Sequence, residues 1–111
     1  MAAEALNENN KPAEALPYLN QVRARARDGA AGVLPDISDT NQATLRDKIF
    51  HERRVELALE GHRFWDLVRT GRAAAVLGPL GFIAGKHELL AIPQTEIDLS
   101  QKVLTQNPGW E

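Results

Sequence analysis

The segment from Gln42 to Glu60 is the strongest structural signal in the sequence. It is rich in Leu, Glu, Arg and Ala, all good helix formers, and carries Leu45, Ile49, Leu57 and Ala58 among its apolar positions. Ser38, Asp39 or Thr40 is expected to cap this helix, and Gly61 to stop or bend it. A chain built around such an element reads as mostly α.

The flanks agree. Ala2 to Glu8 reads as the end of a helix, broken by Asn7-Glu8-Asn9-Asn10-Lys11, since Asn tolerates left-handed geometry. Pro12 suits the first turn of the next helix, where Ala15, Leu16, Leu19, Val22 and Ala26 recur at helical spacing up to Asp28-Gly29. Pro17 is harmless only near a helix start. A loop follows to Thr40. Beyond Gly61, a helix over His62–Thr70 carries Phe64, Trp65, Leu67 and Val68, with Gly71 as its C-cap. At least one of Phe64 and Trp65, which point about 100° apart, is expected in the core. Arg72–Leu77 reads as a short helix ended by Gly78-Pro79. His87–Ile92 reads as a buried extended run closed by Pro93, and the tail from Gln94 as coil with a turn or two of helix. With no strong linker, residues 1–111 read as one domain.

Composition narrows the function classes. The 111 residues are 43% hydrophobic and 25% charged, an ordinary globular mix. With 13 basic against 15 acidic residues the net charge is -2, so the field does not favour nucleic acid. The absence of cysteine excludes disulfides, thiolate zinc sites and cysteine nucleophiles. Met1-Ala2-Ala3-Glu4 has neither the basic nor the apolar region of a signal peptide, and no apolar run reaches membrane-span length. The chain by itself therefore reads as soluble.

Two patterns carry resemblances. Glu4-Ala5-Leu6-Asn7 followed by Pro12-Ala13-Glu14-Ala15-Leu16-Pro17-Tyr18-Leu19-Asn20 resembles a tetratricopeptide helical hairpin, in which small residues let paired helices approach. More specific is an ordered set: Leu19-Asn20-Gln21-Val22-Arg23-Ala24-Arg25-Ala26, then the run from Glu52 to Arg69, then the run from Lys86 to Asp98, then Gln106-Asn107-Pro108-Gly109-Trp110. This set resembles the C-terminal region of SusD/RagB proteins. The resemblance implies an outer-membrane lipoprotein that sits on a TonB-dependent porin-like transporter and captures glycans or other nutrients. It implies a scaffold of tetratricopeptide-like helical pairs with an irregular C-terminal tail packed back on them. It also implies that Arg23 and Arg25 fix their helix against its neighbours, and that glycan-contacting aromatics lie mainly outside this segment. A full member has a signal and a lipidated cysteine, which this chain lacks, so the expectation is a C-terminal fragment.

Residues that could carry chemistry have plainer readings. Glu52, Glu56 and Glu60 line one stripe at i, i+4, i+8, and paired carboxylates can hydrolyse glycosides. Lys48, Arg63, Asp66 and Arg69 surround them at helical spacings, so a structural ion-pair network is the preferred reading. Glu52, Arg53, Arg63 and Asp66 are expected to form a partly buried polar cluster at the Gly61 bend. His51-Glu52 opens like a zinc-protease motif, but position 55 is Val55. His62 and His87 have no ligand-spaced partner, so surface or capping roles are expected for all three histidines. Gly78-Pro79-Leu80-Gly81 lacks the Lys-Ser/Thr of a phosphate loop, and Ser38 and Ser100 lie in no nucleophile elbow. Trp110 reads as a plug rather than a sugar platform. The reading is therefore a non-enzymatic scaffold segment with no cofactor, no metal and no complete ligand site. Its rivals are a free-standing helical interaction module and a carbohydrate-active enzyme using the glutamate stripe.

Overall fold

A computed structural model describes residues 1–30, 32–101 and 103–111. Among these described residues are six α-helices: α1 (Ala2–Glu8), α2 (Pro12–Arg27), α3 (Gln42–Glu56), α4 (Arg63–Arg69), α5 (Ala73–Leu77) and α6 (Gln94–Leu99). A 3₁₀ turn, Gly78–Leu80, extends α5, and no strand occurs among the described residues. The fold is mostly α. The chain divides into two compact units, Met1–Ala58 and Leu59–Glu111.

In the first unit α1 packs along α2 and also touches α3. The core holds Ala3, Ala15, Leu19, Leu45 and Ile49, with Leu6, Leu16 and Ile37 packed against it. Ala3 and Ala15 are small, which lets the α1 and α2 backbones come close. Leu45 is fully buried, worth about 2 kcal/mol of transfer free energy. Asn10 takes the left-handed conformation (φ 57°) that lets Asn10 and Lys11 donate to the carbonyls of Asn7 and Leu6, closing α1. Asn7 is fully buried; its Nδ2 donates to the Gln42 carbonyl at 3.0 Å, while Gln42 Nε2 donates to the Asn7 carbonyl at 2.7 Å.

Pro17 lies inside α2, beyond its first turn. Two expectations change here. The α3 cap is Asn41, whose Oδ1 accepts from the Ala43 and Thr44 amides at 3.0 and 3.2 Å; Asp39 instead buttresses that cap. And α3 stops at Glu56, not Glu60. The Ala58 amide bonds three residues back to Val55, and Leu59 then adopts φ 68°, which no α-helix continues through.

In the second unit α4 ends in a Schellman motif. Arg72 donates to the Leu67 carbonyl and Gly71, at φ 67°, to that of Val68, as the Gly71 C-cap reading requires. The buried residues are Leu67 and Ala73. Neither Phe64 nor Trp65 is fully buried: Phe64 is half-buried and Trp65 is 58% exposed, because Leu67 takes the inward position of the helix. His87–Ile92 is not a buried extended run. Residues 84–88 form turns, and Leu89 and Leu90 are exposed. The tail binds this segment through its backbone, which leaves these apolar side chains facing outward. The tail helix expected after Gln94 is α6.

Candidate functional site

The polar side of α2 carries a dense set of specific contacts. Asn20, Arg23 and Arg27 share one face at i, i+3 and i+7. All three reach the non-helical segment 34–37. Asn20 Nδ2 donates to the Ile37 carbonyl and its Oδ1 accepts the Ile37 amide, both at 2.9 Å. One side-chain amide thus supplies the donor and acceptor that a neighbouring strand would offer. Arg27 Nη1 donates to the Leu34 carbonyl at 2.9 Å and to Asp36 Oδ1 at 2.6 Å.

Arg23 is the hub. Its Nε and Nη2 donate to the Pro35 carbonyl at 3.0 and 2.8 Å, while Nη1 donates to Glu52 Oε2 on α3 at 2.5 Å. The two side chains are only 12% and 11% exposed, so this is a largely buried pair. Arg25 pairs with Glu56, one turn further along α3, but its side chain is 71% exposed. Burial separates the two energetically. Exposed pairs contribute about 0–1 kcal/mol, whereas stranding one partner of a buried pair costs about 3–5 kcal/mol.

Other ion pairs hold the N-terminal half of α3. Asp39 accepts from the Thr44 hydroxyl, the Asn41 amide and the Lys48 ammonium at 2.5, 2.9 and 3.0 Å. These donors, the Thr44 hydroxyl foremost, hold its carboxyl down at about 2. Arg46 makes a two-pronged bond to Glu8, with Nε to Oε1 at 2.6 Å and Nη2 to Oε2 at 2.7 Å. That fork lowers the Glu8 pKa and raises that of Arg46.

The four residues expected around Gly61 fall in different units. Glu52 and Arg53 lie on α3 in the first, Arg63 and Asp66 on α4 in the second. Glu52 is nine-tenths buried and takes Arg23 as its partner. An Arg53 Nη1 lies 3.6 Å from Met1 Sδ. Asp66 accepts from Arg69 Nε at 2.8 Å. Of the glutamate stripe, Glu52 and Glu56 remain on α3 and point at arginines, while Glu60 sits in a turn past the helix end. Lys48 serves Asp39 rather than Glu52. His51 and His62 are exposed; His62 precedes α4 without a side-chain cap bond. Among the described residues no three His, Cys, Asp or Glu side chains are grouped to hold a metal. No helix of the described residues is long and apolar enough to cross a membrane.

The second unit carries an aromatic chain. Phe64 packs edge-on to Trp65 at 5.2 Å and tilted to Phe82 at 6.3 Å; Phe82 meets His87 at 5.7 Å, and His87 meets Trp110 at 5.8 Å. The tail is tied to 86–92 by side chains. Gln106 exchanges both amide bonds with the backbone of Ile92 at 2.8 Å, Asn107 Nδ2 donates to the Leu90 carbonyl at 2.6 Å, and Trp110 Nε1 donates to the carbonyls of Lys86 and Leu89 at 3.1 Å. Trp110 is half-buried and bonded on its polar edge, a plug as expected.

Sequence reasoning missed the backbone clamps of Asn20 and Gln106. The signal available was Asn20 itself, a residue that competes with helical hydrogen bonds, placed within a helix opposite a loop. The first unit carries open grooves. One of about 250 Å³ lies among α1, α2 and α3 and includes Tyr18, Val22, Ile49 and Leu57 in its lining. Another of about 490 Å³ includes Thr44, Asp47, Lys48 and His51.

The sequence model of the SusD family matches residues 1–83. SusD-like protein P38 of Formosa agariphila is 45% identical over 84 residues, covering 72% of this chain and 16% of that protein. SusD-like protein P2 of the same organism is 38% identical over 119 residues, covering 99% and 24%, and SusD-like protein P25 is 37% identical over 112 residues, covering 94% and 21%. The chain spans about a quarter or less of the length of these curated relatives. No solved structure matches it. With a family match over three quarters of its length and relatives aligned over nearly all of it, the chain belongs to the SusD family.

Proposed function

We propose that the chain is a non-enzymatic scaffold segment of a SusD-like surface lipoprotein that captures glycans or other nutrients for a TonB-dependent transporter. The observation that carries this reading is family membership, with relatives aligned over nearly the whole chain. The parent would stand on the outer face of the outer membrane, and the nutrient would be bound mainly by parts outside residues 1–111. The α1–α2 hairpin would be one tetratricopeptide-like pair of the scaffold, and Glu52, Arg53, Arg63 and Asp66 would serve its structure rather than chemistry.

The use of the carboxylates supports a scaffold over a hydrolase. Glycoside hydrolysis needs two carboxyl groups flanking a sugar ring. Here Glu52 and Glu56 are each engaged by an arginine of α2, and Glu52 is nearly closed to solvent. A sugar would have to displace Arg23 to reach it.

The test is a two-dimensional amide spectrum of the isotope-labelled chain with and without a panel of oligosaccharides. Dispersed peaks that stay in place are expected. Shifts concentrated on one face would show that the segment binds sugar itself, and hydrolysis lost in Glu56→Gln would revive the enzyme reading.

A further inference from the structure

We propose that the end of the tail is a proton-sensitive latch keyed by His87. The Ile83 backbone N–H donates to His87 Nδ1 at 3.0 Å. An amide nitrogen can only donate, so Nδ1 must present a lone pair, and the closed arrangement requires the neutral ring with its proton on Nε2. A second proton can only go to Nδ1. It would set two donors against each other at hydrogen-bonding distance, and the ring must turn away from Ile83.

That ring is a packing element. It lies beside Phe82, with centroids at 5.7 Å, and beside Trp110 at 5.8 Å. Trp110 holds the tail down through its Nε1 bonds to the carbonyls of Lys86 and Leu89, the residues on either side of His87 and Glu88. The Lys86 ammonium already lies 4.4 Å from the Trp110 ring centroid. A protonated imidazole would bring a second cation to the same indole.

The charged groups on the turn that carries the ring are Lys86 and Glu88, and the tail that carries Trp110 also carries Glu111, whose Oε2 accepts the Gly109 amide at 3.0 Å. Through Phe82 and Phe64 the stack continues to α4, whose charged residues are Arg63, Asp66 and Arg69. Glu88 is the group that would favour a charged ring; its Oε2 is buried and accepts no hydrogen bond in the structure. It neighbours His87 along the chain, and its buried Oε2 is not bonded to the imidazole. The Ile83 donor, by contrast, acts on the very atom that would take the proton.

Opening is confined to residues 108–111. Gln106 and Asn107 hold Ile92 and Leu90 through bonds that involve no titrating group. The latch therefore has a hinge that stays fixed and a plug that releases.

The experiment follows the two indole N–H resonances of the full labelled chain from pH 8 to pH 5, where imidazoles ordinarily gain their proton. Trp65, with no bonded partner for its indole in the structure, is the internal reference. Protection of the Trp110 indole from solvent exchange, relative to Trp65, is expected to fall severalfold in step with the His87 ring resonances. His87→Asn retains an acceptor for Ile83 and His87→Phe retains the stack, and neither titrates. Both should lose the pH dependence, whatever their absolute protection. A Trp110 indole that stays protected while His87 titrates, a His87 that does not titrate in this range, or a pH dependence that survives in both variants would overturn the proposal.

Discussion

Replacing Arg23 by Met should destabilise the first unit far more than any other change at its surface arginines. The side chain leaves Glu52, 11% exposed, without its guanidinium. A carboxylate stranded in such a place costs about 3–5 kcal/mol. The Pro35 carbonyl also loses two donors, but Pro35 is exposed and water replaces them, so this adds little. With a urea slope of roughly 1.5 kcal/mol per M for a chain of this size, a loss of about 3 kcal/mol moves the midpoint by about 2 M. Arg25→Ala, at the 71% exposed pair, should cost only about 0.2–1 kcal/mol. In Arg23→Met/Glu52→Leu neither charge is left stranded, so most of the loss should return as coupling of about 2 kcal/mol. The assay is urea unfolding followed by far-UV circular dichroism and by the amide resonances of α2 and α3. Tryptophan emission would not serve, because Trp65 and Trp110 both lie in the second unit. If Arg23→Met unfolds within about 0.5 M of the parent, or the double variant is no better than the single, then Glu52 is not desolvated and the burial argument fails.

Three further outcomes follow from the same geometry. Asn20→Ala removes both bonds to Ile37 and should cost about 1–3 kcal/mol, with the Ile37 amide losing its protection from hydrogen exchange. Asp39 is held at about 2, below the unfolded carboxyl range, so its contribution is full above roughly pH 4 and is lost as pH falls towards 2. Asp39→Asn should flatten that acid limb in a helicity titration; an unchanged limb would show that the Asp39 contacts do not hold the start of α3. Gly109 sits at φ 78°, and a Cβ there would meet Lys86 Cβ at 3.0 Å, so Gly109→Ala should cost about 1 kcal/mol or more and release the Trp110 indole.

The helices were legible because their signals are local. Pro12 at a helix start, Asn10 and Gly71 in left-handed caps, and the apolar spacing around Leu45 and Ile49 each act within one or two turns. The end of α3 was not, because Leu57 to Glu60 continues the helical composition and Leu59 leaves it only by taking a positive φ. Residues 87–92 misled for a different reason. An apolar run closed by proline ordinarily marks burial, but here the tail bonds the backbone of the run and leaves Leu89 and Leu90 outward. The charges around Gly61 were readable as a dense set, and Asp66 takes Arg69 from its own helix, yet the partner of Glu52 is distant in sequence. Glu52 takes Arg23 from α2, and spacing along one helix cannot reveal a partner on another.

The same device holds both irregular segments. Residues 34–37 are held by Asn20, Arg23 and Arg27, and residues 86–92 by Gln106, Asn107 and Trp110. In each case most of the bonds run from a clamping side chain to main-chain carbonyls or amides, so the path of the clamped segment is recognised more than its side chains, Asp36 on Arg27 and Lys86 and His87 on Trp110 being side-chain contacts. Substitutions at the other positions of 34–37 and 86–92 leave those bonds intact so long as the backbone can follow the same path, while loss of Asn20 or Gln106 removes a donor and an acceptor of the main chain at once. A scaffold built this way can change the residues it displays on its loops while keeping the loops in place.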